Sequence, residues 1–181
     1  MKRLTELADT LQNKCEDLEG RSRRNNIRIV GIPESPGSCS TSAISALLKD
    51  AFNLEKEPLV DRSHRSLQPV PQGGEPARTV IARLHYYKDC NDILRLARTK
   101  PRMRVDGMTI SVYPDFTARV AKARAAFNDV RRMLKDVPGV KFGILFPARL
   151  RITFNRTESF FTDPEAARTY VSQNIVHNQE G

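Results

Sequence analysis

Leu4, Leu11 and Leu18 recur every seven residues, with Met1, Ala8 and Cys15 at the complementary positions and mostly charged or polar side chains between. That spacing is an a/d seam and predicts a coiled-coil helix over residues 1–24, ending near Gly20, with Arg21, Arg23 and Arg24 as a basic hinge. A seam that begins at Met1 implies the end of a longer coil. Ala and Cys at the a positions do not choose between two strands and three. An amphipathic helix packed on its own domain would show the same pattern.

The period then shortens. Ile27-Arg28-Ile29-Val30-Gly31-Ile32, stopped by Pro33, reads as a strand. A Ser/Pro/Gly loop covers 35–42, and a helix from about Thr41 to Phe52 turns Ile44, Leu47, Leu48 and Ala51 to one side. Val60–Leu67 is a second strand, and 68–77 (QPVPQGGEPA) forms only a loop. Thr79–Tyr86 is a third strand, with Ile81, Arg83 and His85 opposite Val80, Ala82 and Leu84. Lys88–Arg98 is helical with Cys90, Ile93, Leu94 and Ala97 inward, and Val105–Ile110 holds a turn and a last strand.

This β-α-β-β-α-β order over 25–112 is the ferredoxin-like arrangement that RNA recognition motifs use, although the same fold hosts enzymes. Residues 113–181 form a second, small α+β domain. A long helix is expected over Thr117–Lys135, with Val120, Ala123, Phe127, Val130 and Leu134 as its stripe and Pro138-Gly139 as its stop. Phe142, Ile144 and Phe146 alternate as a strand, Pro147-Ala148 turn, and Leu150, Ile152 and Phe154 return. Asp163-Pro164 reads as cap and first residue of a final helix carrying Ala167, Tyr170 and Val171, with the chain frayed from Asn174. The fold class is α+β throughout.

Charge narrows the partner. The net charge is +9. Residues 62–104 hold ten Lys/Arg against three Asp/Glu, and 119–156 hold ten against two, while the remainder holds ten against sixteen. Two concentrated basic blocks favour a phosphate-binding surface over charge carried for solubility. Nothing approaches the roughly 20-residue apolar run of a membrane span, and the opening lacks a signal-peptide core. Cys15, Cys39 and Cys90 are far apart without metal-ligand spacing, which reads as reduced thiols.

Catalytic patterns are missing: the sequence contains no GxSxG, Walker loop, HExxH or GxGxxG, and His64, His85 and His177 lie in different segments. No enzyme activity, cofactor or metal is expected. In place of the stacking aromatics common on recognition-motif strands, the first strand offers Arg28 and the third Ile81, Arg83 and His85. Guanidinium groups grip phosphate bidentately, so binding should tolerate sequence; structural ion pairs are the competing reading. Arg124, Arg131 and Lys135 share a flank of the long helix, and Arg149 and Arg151 share a strand face.

The run Arg21-Ser22-Arg23-Arg24-Asn25-Asn26-Ile27-Arg28-Ile29-Val30-Gly31-Ile32-Pro33-Glu34 resembles the start of the RNA-binding core of LINE-type retrotransposon first-reading-frame proteins. So does Phe146-Pro147-Ala148-Arg149-Leu150 in the second domain, and the order of coil, recognition motif and C-terminal domain is similar along the whole chain. The resemblance implies a homotrimer on a parallel coiled coil, with Leu4, Leu11 and Leu18 in its seam. It implies single-stranded RNA, and single-stranded DNA as well, bound between the domains. Nucleic-acid chaperone activity and packaging of the element's transcript into cytoplasmic ribonucleoprotein particles follow from it, with a nuclear share left open. RNA contacts would fall on Asn26, Arg28, Arg62, Arg65, Arg83, Arg98, Arg124 and Arg149, with His64 where the family varies. The short coil and the Pro/Gly-rich loop depart from the family. A protein-binding coiled-coil scaffold derived from the same family is the alternative, and an unrecognised ferredoxin-like enzyme a third.

Overall fold

In the computed structural model, which describes residues 1–176, the alternation at Ile27-Arg28-Ile29 forms strand β1 (Asn26–Val30), with both isoleucines fully buried. Gly31 ends it with φ +100°, where an added Cβ would lie 2.1 Å from the Thr109 carbonyl oxygen, so only glycine fits. The Ser40 hydroxyl caps helix α2 (Thr41–Phe52) by accepting from the Ala43 amide at 3.2 Å, and Asn53 in the left-handed region ends it. Strands β2 (Val60–Arg65) and β3 (Val80–Leu84) follow, then helix α3 (Tyr87–Thr99). Both strands are shorter than the sequence suggested. Pairing stops at Arg65 opposite Val80, and Tyr86 already serves as the cap position of α3.

The expected last strand is a hairpin. β4 (Met103–Val105) and β5 (Met108–Pro114) join through Asp106 and Gly107, both at positive φ, the conformation a two-residue hairpin turn requires. All pairings are antiparallel, in the order β2-β3-β1-β5-β4. Ile27, Ile29, Val80, Ala82, Leu84, Ile110 and Val112 face Ile44, Leu48, Cys90 and Ile93 of the two helices in one core.

Helix α1 (Lys2–Ser22) runs straight through Gly20, where it was expected to fade; one glycine costs a helix only about 1 kcal/mol. It buries none of its residues, and Leu4, Leu7, Leu11 and Leu18 are each more than half exposed.

Two units divide after Asp115. In the second, the long helix is broken into α4 (Ala118–Ala125) and α5 (Asn128–Leu134). The reason lies in packing: α4 buries nothing, with Ala123 exposed and Val120 half-buried, whereas Phe127, Val130 and Leu134 enter the core. A uniform apolar spacing cannot reveal that its halves meet different surroundings. Strands β6 (Lys141–Leu145), β7 (Arg149–Phe154) and β8 (Thr157–Phe161) form an antiparallel sheet. Phe146 lies in the turn before β7, exposed, rather than in the strand. β8 was missed because TESFF is mostly exposed and lacks a buried alternation, and Asn155-Arg156 make its turn at positive φ.

The Asp163 carboxylate caps α6 (Pro164–Val171), accepting from the Glu165 and Ala166 amides at 3.2 and 3.3 Å. A π-helical turn then continues over Ser172–Val176 with Ile175 buried, so the chain does not fray at Asn174; His177 and the rest of the tail lie outside the described residues. The core gathers Phe127, Val130, Leu134, Leu150, Ile152, Ala167, Val171 and Ile175. Among the described residues no helix is long and apolar enough to cross a membrane.

Candidate nucleic-acid interface

Because β1, β3 and β5 bury alternate residues against α2 and α3, the intervening residues line the other face of the sheet: Asn26 and Arg28, Ile81 and Arg83, Ser111 and Tyr113. Register places them side by side. Asn26 lies opposite Arg83, Arg28 opposite both Ile81 and Tyr113, and Arg62 opposite Arg83 across a bulge in β2. Arg62, His64 and, on β4, Arg104 are exposed.

The face is organised by one carboxylate. Asp115 has a side chain only 1% exposed, yet it accepts from Arg23 Nη1 at 3.1 Å, Arg28 Nη1 at 3.3 Å and Asn26 Nδ2 at 3.0 Å. A buried carboxylate requires such compensation. Arg28 is therefore held by a structural pair while its side chain stays 37% exposed. Asn26 is buried, and its Oδ1 has no hydrogen-bond partner. Arg83 donates to the Ser22 carbonyl at 3.3 Å and lies 4.0 Å from Asp61, whose other oxygen is 2.9 Å from His85 Nδ1.

Arg65 differs from its expected role. Its side chain is 8% exposed, and Nη1 and Nη2 donate to the carbonyls of Ile32, Arg78 and Pro33 and to the Ser38 hydroxyl at 2.6–2.8 Å. With four hydrogen bonds spent on the loop after β1 and on the Arg78 carbonyl before β3, it is a clamp. Beside it Glu34 receives the Arg78 guanidinium at 2.9 and 3.1 Å, and those hydrogen bonds hold the Glu34 carboxyl down to about 2. Arg98 is exposed in the last turn of α3, on the helical layer and away from the open sheet face.

In the second unit Arg149 and Arg151 alternate with buried Leu150 and Ile152 and are exposed. Arg149 stacks 4.8 Å over the Phe160 ring, and Arg151 lies 3.9 Å from Glu158. Arg124 also differs from expectation. It donates to the carbonyls of Ile144, Leu145 and Pro147 at 3.0–3.3 Å and sits 4.4 Å over Phe116, so it shapes the turn that presents Arg149. Burial, with the nearby Arg131 charge adding to it, pushes its guanidinium below the ordinary value. Arg131 and Lys135 are exposed.

Sequence reading missed Asp115 and Tyr113. Ending the last strand at Ile110 and starting the second domain at residue 113 left both outside the first domain, although Ile110-Ser111-Val112-Tyr113 continues the two-residue alternation. Among the described residues no cluster of His, Cys, Asp and Glu could hold a metal ion.

No family model matches the chain. It is 26% identical over 180 residues to the LINE-1 retrotransposable element ORF1 protein of Mus musculus, covering 96% of this chain and 50% of that protein. It is 25% identical over 165 residues to the mouse LINE-1 type transposase domain-containing protein 1, covering 89% of this chain and 21% of that protein. The chain thus spans half the length of the first relative and about a fifth of the second. A solved structure titled the C-terminal domain of ORF1p from mouse LINE-1 is 30% identical, covering 35% of this chain and 97% of that one, with a TM-score of 0.29.

Proposed function

We propose that this chain, which is similar to the LINE-1 ORF1 protein over almost its whole length, is LINE-1 ORF1-like and binds single-stranded RNA with little regard to sequence. The observation that carries this reading is a set of arginines on a sheet face in each unit: exposed Arg62 beside half-buried Arg28 and Arg83 in the first, exposed Arg149 and Arg151 in the second. The first unit acts as an RNA recognition motif in which guanidinium groups take the place of the usual aromatics on the central strands. Each such group grips a phosphate bidentately and releases condensed counterions, which fixes a strand without reading its bases.

The leucine seam of α1 joins copies of the chain into a parallel coiled coil, three-stranded by family resemblance. Several weak phosphate-directed heads on one RNA shield strand repulsion while letting contacts exchange, the behaviour expected of a nucleic-acid chaperone. The chain performs no covalent chemistry and packages retrotransposon RNA, with single-stranded DNA a second ligand, into cytoplasmic ribonucleoprotein particles.

The test is a filter-binding titration on unrelated single-stranded RNAs at several salt concentrations. Neutralising about six to nine phosphates gives a slope of log K against log salt near −4 to −6. A slope shallower than about −2, or strong preference for one sequence, removes the phosphate-gripping reading.

A further inference from the structure

We infer that Tyr113 is a nucleobase-stacking site on the open face of the first sheet, an inference that rests on the RNA-binding reading above. Tyr113 is the only Phe or Tyr on the five strands of that sheet. The residue is half exposed, although Val112 and Ile110 of the same strand are buried. The alternation of β5 therefore aims the tyrosine away from the core and onto the face that carries the arginines.

Its surroundings fit a base better than they fit a protein partner. Tyr113 lies directly opposite Arg28 in the β1–β5 register, and cross-strand neighbours of that kind stand roughly 5 Å apart at Cβ. Arg28 is tethered through Nη1 to Asp115, two residues beyond Tyr113, and Pro114 between them restricts the backbone. A ring and a guanidinium are thereby held side by side on an open, cationic sheet face. A nucleotide supplies both complements, a flat base for the ring and a phosphate for the cation. Asn26 adds an unpartnered acceptor, its Oδ1, on the same strand face as Arg28. Stacking of this kind accepts any base, because every base presents a π face, so it remains compatible with sequence-tolerant binding.

The alternative is that Tyr113 is a surface residue kept only for its strand preference. Three proteins separate the two: wild type, Tyr113→Ala and Tyr113→Phe, each as the full chain. Each is titrated with an oligouridine and with an abasic oligonucleotide of equal length and charge. Stacking predicts that Tyr113→Ala loses roughly 5- to 100-fold on the oligouridine and little on the abasic strand, with Tyr113→Phe near wild type. A fourth variant reads the contact itself. The sequence has no tryptophan, so Tyr113→Trp creates a single tryptophan, excited apart from the tyrosines, whose fluorescence should be quenched by the oligouridine and not by the abasic strand. If wild type binds the oligouridine and Tyr113→Ala binds it equally well, or loses equally on both strands, base stacking is overturned while RNA binding stands. Wild type that binds neither strand refutes the RNA-binding reading, and this inference with it.

Discussion

Replacing Asp115 by Ala removes the acceptor on which Asn26, Arg28 and Arg23 converge, and the structure sets the size of the effect. The Asn26 amide is buried, with its donor 3.0 Å from Asp115 and its own oxygen already unpartnered. Orphaning that donor costs about 1–3 kcal/mol. Arg23 and Arg28 are about a third exposed, at 33% and 37%, so water takes over much of their solvation. Each of those pairs then contributes at most about 1 kcal/mol. The expected loss is about 2–4 kcal/mol, or a fall in Tm of roughly 8–30 °C for a unit of this size. Asp115→Asn keeps the volume and one acceptor oxygen and should lose about half as much. Urea denaturation followed by circular dichroism measures it, with the transition of the first unit moving and that of the second unchanged. A loss below about 1 kcal/mol for Asp115→Ala would mean that the three donors find water or other acceptors, and that Asp115 does not organise the face.

Arg65→Ala should destabilise the first unit by about 2–4 kcal/mol, because it strips the donors from four oxygens, whereas Arg62→Ala should change stability by less than about 0.5 kcal/mol and weaken RNA binding several-fold. The reverse pattern in denaturation and filter binding would exchange their roles. Burial pushes the Cys90 thiol up to about 11, while Cys15 is exposed. A maleimide at pH 8 should therefore label Cys90 only after unfolding, and Cys15, which the proposed seam would cover, rapidly only in chains that are not assembled, as read by mass spectrometry of tryptic peptides. Leu11→Asp places charge in the proposed seam. It should lower the mass seen by light scattering and cost about 10²–10⁴ in affinity on a long RNA, with no loss on one that a single head fills. Equal loss on both lengths would mean that α1 touches RNA itself.

The sequence made the elements legible where burial is one-sided and periodic. Ile44, Leu47 and Leu48 announce α2, and Val80, Ala82 and Leu84 announce β3, because each repeats at the period of its element against a single core. Legibility failed where one pattern served two environments. Val120 through Leu134 keeps a helical period across the break at Ala126-Phe127, and nothing in the spacing tells that only the second half is covered. β8 escaped because its polar residues match its exposure and mimic a loop. Among site residues, type was readable and duty was not. Arg62 and Arg65 are three apart with the same side chain, yet one is exposed and the other is filled by backbone carbonyls that meet it only after the loop at 32–38 folds over.

That difference in duty bears on how the +9 charge is used. Only a guanidinium that exchanges water and counterions for phosphate contributes to the salt dependence of binding. Arg65 makes four hydrogen bonds and Arg124 three to protein oxygens, and Arg78 is joined to Glu34 by two contacts, so none can turn fully to a phosphate without giving up native bonds. Arg28 and Arg83 each face a carboxylate, Asp115 and Asp61, which must share the cation with the incoming phosphate. On the proposed reading, the arginines free of such competition are those left in water, among them Arg62, Arg104 and Arg149. The slope of affinity against salt should therefore lie near −4 rather than −6, the shallow end of the range set by six to nine phosphates. Asp61→Asn, which frees Arg83 from its competitor, should steepen that slope by up to about 0.7. An unchanged slope with unchanged affinity would place Arg83 outside the contact and leave the exposed arginines alone to carry it.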